Sequence, residues 1–175
     1  MNRAQLEHII RAAATIADDD QIVIVGSQSV LGQFPDAPTE LLASMEADVY
    51  PLRHPERADL IDGSIGEGSP FHETFGYYAQ GVGPETSVLP PDWQSRAILI
   101  CNPATRGATG LALEIHDLLV AKAVAGRAKD RDFIEAVFRH RMARPETVAA
   151  RLQSAPTSVE GRAAAEGLLR TLAGS

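Results

Sequence analysis

Long apolar runs, a basic excess and cysteine pairs are all missing from this 175-residue sequence, and each absence closes off a class of function. No stretch approaches the roughly eighteen consecutive apolar residues that a membrane-spanning helix requires. No basic segment followed by an apolar one stands at the start in the manner of a secretory leader. Cys101 is the sole cysteine, so an internal disulfide is excluded, and its place in the apolar run from Ala97 predicts a buried thiol in a reducing compartment. These features together predict a cytoplasmic protein with no membrane partner. The net charge of −7 argues against a general nucleic-acid binder, because nonspecific affinity for phosphate backbones needs a basic surface.

What is present reads as an ordinary globular chain. Hydrophobic residues make up 45% and charged residues 22%, and the length suffices for one domain with a sizeable core or for a domain plus a small helical appendage. Residues 2–17 place Leu6, Ile9, Ile10, Ala13 and Ile16 on one helical face. Four β-branched residues, Ile22 to Val25, then predict a short buried strand that ends at Gly26-Ser27. Gly26 permits a sharp turn and close approach of backbone to a ligand, and the amides after it favour phosphate. Beyond a loop marked by Pro35 and Pro38, Glu46 to Tyr50 predicts another strand. Its period of two puts Glu46 and Asp48 on one face, where their mutual repulsion invites a divalent cation.

Further on, residues 56–65 read as a helix with Ala58, Leu60, Ile61 and Ile65 as its apolar contacts. A glycine-rich loop over 63–76 follows and carries His72, read either as pointing into a site or as part of a surface loop stapled by Phe71 and Phe75. Strands are expected over 77–82 and 96–101, the second covered on both faces because it has no internal polar position. Trp93 is expected to pack on the sheet, and residues 102–110 read as a polar loop. From Leu111 the pattern is helical to the end, over 111–125, 127–140, 145–152 and 158–172. The expected division is an α/β core over 1–110 with a helical part over 111–175 packed on it.

A second constellation lies in that helical part. Lys122 sits among Leu118, Leu119, Val120, Ala121, Ala123 and Val124, so its stem would lie against apolar neighbours while its ammonium reaches a boundary. Arg127, Lys129, Asp130 and Asp132 follow, the two acids at a helix start where a carboxylate is favoured as a cap. His116 and Asp117 precede the lysine, the histidine read as a satisfied helix residue.

Gly26-Ser27 followed by Ser44-x-Glu46-x-Asp48 resembles the first motif of the nucleotidyltransferase superfamily (DNA polymerase β-like). The segment from Lys122 to Asp130 resembles the lysine motif of its small bacterial members, among them the AbiEii-type toxins. The resemblance implies an α+β fold, a small mixed β-sheet of nucleotidyltransferase-like topology flanked by helices and followed by a C-terminal helical segment. It also implies Mg²⁺ or Mn²⁺ on Glu46 and Asp48, and a nucleoside triphosphate held by Gly26, Ser27, Lys122, Arg127 and Lys129. Catalytic roles fall to Glu46, Asp48 and Lys122, with Ser44, His72 and Asp130 as secondary candidates. The acceptor it implies is a tRNA or protein hydroxyl, and a cognate antitoxin is a possible partner. Two departures stand out: the first acid is Glu where the family has Asp, and Tyr78 and Gln80 stand where a third carboxylate is expected. Those departures keep open a catalytically impaired nucleotide-binding or regulatory domain, and an interaction partner in a toxin-antitoxin pair.

Overall fold

The computed structural model describes residues 1–174. The strands are β1 (Gln21–Val25), β2 (Glu46–Pro51), β3 (Tyr78–Gly81), β4 (Ile98–Ile100) and β5 (Thr109–Ala112). The helices are α1 (Arg3–Ala17), α2 (Val30–Gln33), α3 (Ala58–Ile65), α4 (Pro70–Phe75), α5 (Trp93–Arg96), α6 (Ile115–Ala125), α7 (Ala128–Arg139), α8 (Pro145–Leu152) and α9 (Val159–Ala173). The strands form one mixed sheet in the order β3-β2-β1-β5-β4. β1 runs antiparallel to β2 and parallel to β5, while β2 and β3 are parallel. This is the α+β architecture expected, an open sheet flanked by helices with a helical C-terminal region.

β1 is central because its residues can be buried on both sides: Ile22, Val23 and Ile24 are fully buried. Each such side chain contributes about 1.5–3 kcal/mol relative to exposure. Strand register divides the sheet into two faces. Ile24 lies opposite Ala112, and Ile22 opposite Gly110. That face meets α1 and α2; a side chain at Gly110 would collide with Ile10, and one at Gly32 with Ala112. On the other face stand Val25 and its partner Asp48, with Glu46 two residues earlier. The acids therefore point away from α1.

The register explains several differences from the sequence reading. Thr109–Ala112, expected to end a loop and begin a helix, is a strand seated between β1 and β4, so the sheet crosses the expected boundary at residue 110. Its glycine and leucine carry little strand preference of their own; pairing with β1 decides the conformation. β4 is an edge strand, not a covered one, and Leu99 and Cys101 are exposed rather than buried. Leu60 is exposed on the outer side of α3. Within the glycine-rich segment, 70–75 is helical, with the Ser69 side chain accepting from the His72 amide, Pro70 in the first turn and Gly76 left-handed at the end. Trp93, expected on the sheet, is partly buried against the hydrophobic core at the start of α5.

The C-terminal helices are tied to the sheet end by a buried ion network. Asp117 on α6 is completely buried and accepts from Arg96 Nε at 2.8 Å and Nη2 at 3.1 Å. Arg151 of α8 approaches the same carboxylate at 3.1 Å and also pairs with Glu114. His116, bonded to Glu114 and accepting from the Arg144 amide, is satisfied structurally, as its sequence context suggested. Removing Asp117 strands two arginines against a low-dielectric surface. Asp117→Ala is expected to lower unfolding free energy by about 3 kcal/mol, measured by urea denaturation monitored by circular dichroism.

Candidate active site

The site is built where β1 ends. Gly26 adopts φ +69°, a conformation that side-chain-bearing residues rarely take, and a Cβ placed there would lie 2.1 Å from Asp48 Oδ2. Glycine is therefore required twice, once by the turn and once by the carboxylate pressed against it. Ser27 opens a single 3₁₀ turn, and behind it Gln28 is buried and donates to the Ser44 carbonyl at 3.1 Å. Ser44 Oγ in turn accepts from the Glu46 amide at 3.1 Å, which fixes the entry into β2. The turn and the acid strand are thus bound to each other through side-chain to backbone hydrogen bonds.

Glu46 and Asp48 share a face as the two-residue spacing predicts. Burial first, and then the adjacent Glu46 carboxyl within hydrogen-bonding reach, push the Asp48 carboxyl up to about 7; Lys129 and Lys122 oppose the shift without cancelling it. Glu46 accepts from Tyr78 Oη at 2.9 Å, and burial together with this bond pushes the Tyr78 phenol up to about 12. Tyr78 and Gln80 stand directly opposite Glu46 and Asp48 in the β2–β3 register. No carboxylate from β3 joins the pair.

The cations come from the far end of the chain. Lys122 is 5% exposed, and its Nζ donates to Ser27 Oγ and to Asp130 Oδ1, each at 3.0 Å. Its ammonium also lies 4.5 Å from the centre of the Phe133 ring. Burial pulls the Lys122 ammonium below the ordinary lysine value, opposed chiefly by Asp130. Asp130, completely buried, also accepts from Arg127 Nε at 2.6 Å. Burial raises this carboxyl, but Arg127 and Lys122 outweigh burial and hold it below the usual carboxylate value. The side chain read as a helix cap is the anchor of two cations.

A cavity of about 540 Å³ lies between β2, α7 and the segment 40–44. Ser27, Ser44, Glu46, Asp48 and Lys129 line it, and Asp132 and Phe133 contribute the α7 wall. Lys122 meets it through Ser27. A larger cavity of about 760 Å³ lies at the other end of β1, beside Arg11, Asp20 and Arg106. It contains none of these converging groups, and Asp20 there is already paired with Arg53.

A family model described as nucleotidyltransferase of unknown function (DUF6036) matches residues 4–141. The chain belongs to this nucleotidyltransferase family. No curated protein and no solved structure gives a significant match. The match spans both the turn with its acid strand and the lysine helix with its Asp130 anchor, so one family unit contains every group that meets at the cavity.

Of the residues singled out from sequence, the structure brings together Gly26, Ser27, Ser44, Glu46, Asp48, Lys122, Lys129 and Asp130. Arg127 is held beside them by Asp130, with 61% of its side chain exposed. His72 does not line the cavity: its ring packs on Tyr78 with centroids 4.6 Å apart, and Nδ1 accepts from the Gly68 amide at 3.0 Å. Phe133, Glu40 and Leu41 were not foreseen as cavity walls, since nothing local distinguishes them from other helix and loop residues. The regular spacing of Lys129, Asp132, Phe133 and Ala136 on one face of α7 was the available signal.

Among the described residues no cluster of three or more His, Cys, Asp or Glu is placed to hold a metal ion, and no helix is long and apolar enough to cross a membrane. The pair Glu46 and Asp48 nevertheless fits a hard divalent cation completed by substrate oxygens, because Lys129 and Lys122 only partly offset the crowding of two carboxyls, one of them reluctant to ionise.

The Asp48 shift makes metal-free stability depend on pH. Its folded value of about 7 lies above the ordinary 3.8, so its contribution is full below about 4 and is lost as pH rises toward 7. In chelator-treated protein, stability is expected to fall across that window by at most about 1.4 kcal/mol per pH unit from this group. Asp48→Asn is expected to flatten that slope in urea denaturation at pH 4–8.

Proposed function

We propose that the protein transfers a nucleoside monophosphate from a nucleoside triphosphate to a hydroxyl of an RNA or a protein, with Mg²⁺ or Mn²⁺ held by Glu46 and Asp48. The observation that carries this reading is the convergence of two strand-borne acids and helix-borne amines on one cavity, around a turn that leaves no room for a side chain at Gly26. The bound cation would neutralise charge on the triphosphate oxygens.

The remaining work falls to the protein's own groups. Ser27 and the backbone after Gly26 offer donors to phosphate oxygens. Lys122 has three N–H donors and spends two on Ser27 and Asp130, which leaves one for a phosphate. Lys129 on the cavity wall and Arg127 at its edge lie where negative charge grows on the departing pyrophosphate. Charges held in place beforehand stabilise that growth without reorganising during the reaction. Asp130 keeps two of these cations in position; it is a positioning residue.

Tyr78 supports a second reading. A phenol occupies the strand position opposite Glu46, where a third acid would supply another ligand and a base, so a nucleotide-binding regulatory domain with slow or no turnover is the alternative. The order of motifs resembling AbiEii-type proteins is the ground for proposing a toxin-antitoxin setting.

The test is incubation with each α-labelled nucleoside triphosphate and total cell RNA and protein, with Mg²⁺. Transfer of label is expected, reduced at least about 100-fold by Asp48→Asn and by Lys122→Ala in variants whose circular dichroism is unchanged. Calorimetric binding of nucleotide without label transfer would favour the regulatory alternative. Absence of binding at millimolar nucleotide would overturn both.

A further inference from the structure

The α7 wall of the cavity has an order along its length that deepens the nucleotide reading and rests on it. Lys129, Asp132, Phe133 and Ala136 occupy one helical face and all line the cavity. Lys129 belongs to the acid end, where it acts on Asp48. The opposite end of α7 reaches the segment 40–44, since Arg139 and His140 both bond Glu40. With about 1.5 Å of rise per residue, Asp132 stands roughly 4.5 Å beyond Lys129, and Ala136 about 6 Å beyond Asp132. The wall therefore presents a cation, then a carboxylate beside an aromatic ring, then a small apolar residue.

Asp132 differs from the other acids at this site. Glu46 is bonded to Tyr78, Asp130 to Lys122 and Arg127, and Glu40 to Arg139 and His140. Asp132 lines the cavity, and among the described residues it makes no hydrogen bond or ion pair. A free carboxylate is a poor neighbour for phosphate and a good acceptor for two adjacent hydroxyl donors. A ribose presents such a pair, one step from its phosphates and one step from its base.

We propose that Asp132 accepts hydrogen bonds from the sugar hydroxyls of the nucleotide and makes the site selective for ribonucleotides over deoxyribonucleotides. The phosphates then lie toward Ser27, Lys122 and Lys129, and the base lies on the far side of Asp132, toward the segment 40–44. The selectivity follows from the hydrogen bond that the 2′-hydroxyl donates to the carboxylate and that the C–H of a deoxyribose does not supply. A hydrogen bond to a charged group corresponds to roughly tenfold in affinity or more.

The experiment is calorimetry on the full chain with Mg²⁺, using the four ribonucleoside triphosphates and their four 2′-deoxy counterparts, on the wild type and on Asp132→Ala. Asp132 is exposed, so the variant is expected to fold, with an unchanged thermal melt as the control. The ribonucleotide that binds best is expected to bind about tenfold more tightly than its deoxy form. Asp132→Ala should erase that ratio by weakening the ribonucleotide while leaving the deoxynucleotide unchanged or tighter. Equal binding of both forms by the wild type, or a ratio that survives the substitution, overturns the proposal and leaves the nucleotide site standing. Failure of every triphosphate to bind removes the nucleotide site and this assignment together.

Discussion

The buried Asp130 carboxylate is the constraint from which the arrangement of the site follows. It lies on α7, completely out of solvent, and carries Lys122 from α6 and Arg127 from the intervening turn. A carboxylate in that position without cations would be strongly disfavoured, and so would a lysine as buried as Lys122. Each makes the other tolerable, and the third contact, from Lys122 to Ser27, fastens the helical part to the turn after β1. The distance in sequence between Ser27 and Lys122 is closed by this polar junction together with the apolar packing around it.

From that junction the charge layout of the site can be read as a balance. On the sheet side, two carboxyls crowd together, and burial with that crowding pushes one of them up to about 7. On the helix side, two cations neutralise one acid, and Lys129 adds a further positive charge. The cavity between them has two carboxyls on β2 across from Lys129 on α7, with the Asp132 carboxylate farther along the same helix. Such a layout would suit the proposed metal-bound triphosphate, a ligand that brings both a cation and an anion. The Tyr78 phenol on Glu46 completes the sheet side without adding charge.

The Asp117 network performs a different task with the same chemistry. It binds α5, α6 and α8 around one carboxylate, away from the cavity, and sets the position of the helix that carries Lys122. The wall formed by α7 is held at both ends, by Asp130 near the acids and by Glu40 at the far end. A helix so anchored can present successive turns to successive parts of one ligand.

Much of this was written in local pattern. The β-branched run of β1, the Gly-Ser turn, the same-face acids of β2 and the amphipathic helices all follow from residue identity and spacing, because strand alternation and helical periodicity are properties of short segments. Local pattern also marked Lys122 as a cation with its stem against apolar neighbours and its ammonium at a boundary, whereas the burial of the whole side chain came from the fold. It did not distinguish β5 from the start of a helix, or tell Cys101 and Leu99 that they lie on an edge, because those outcomes depend on which strand lies alongside. Nor did it separate Asp130 from Asp132: both look like helix-start caps, and only the packing of α6 against α7 buries one among cations and leaves the other facing the cavity. Sequence determined the chemical groups and the elements that carry them; tertiary structure decided which charges meet, because that meeting rests on contacts between residues far apart along the chain.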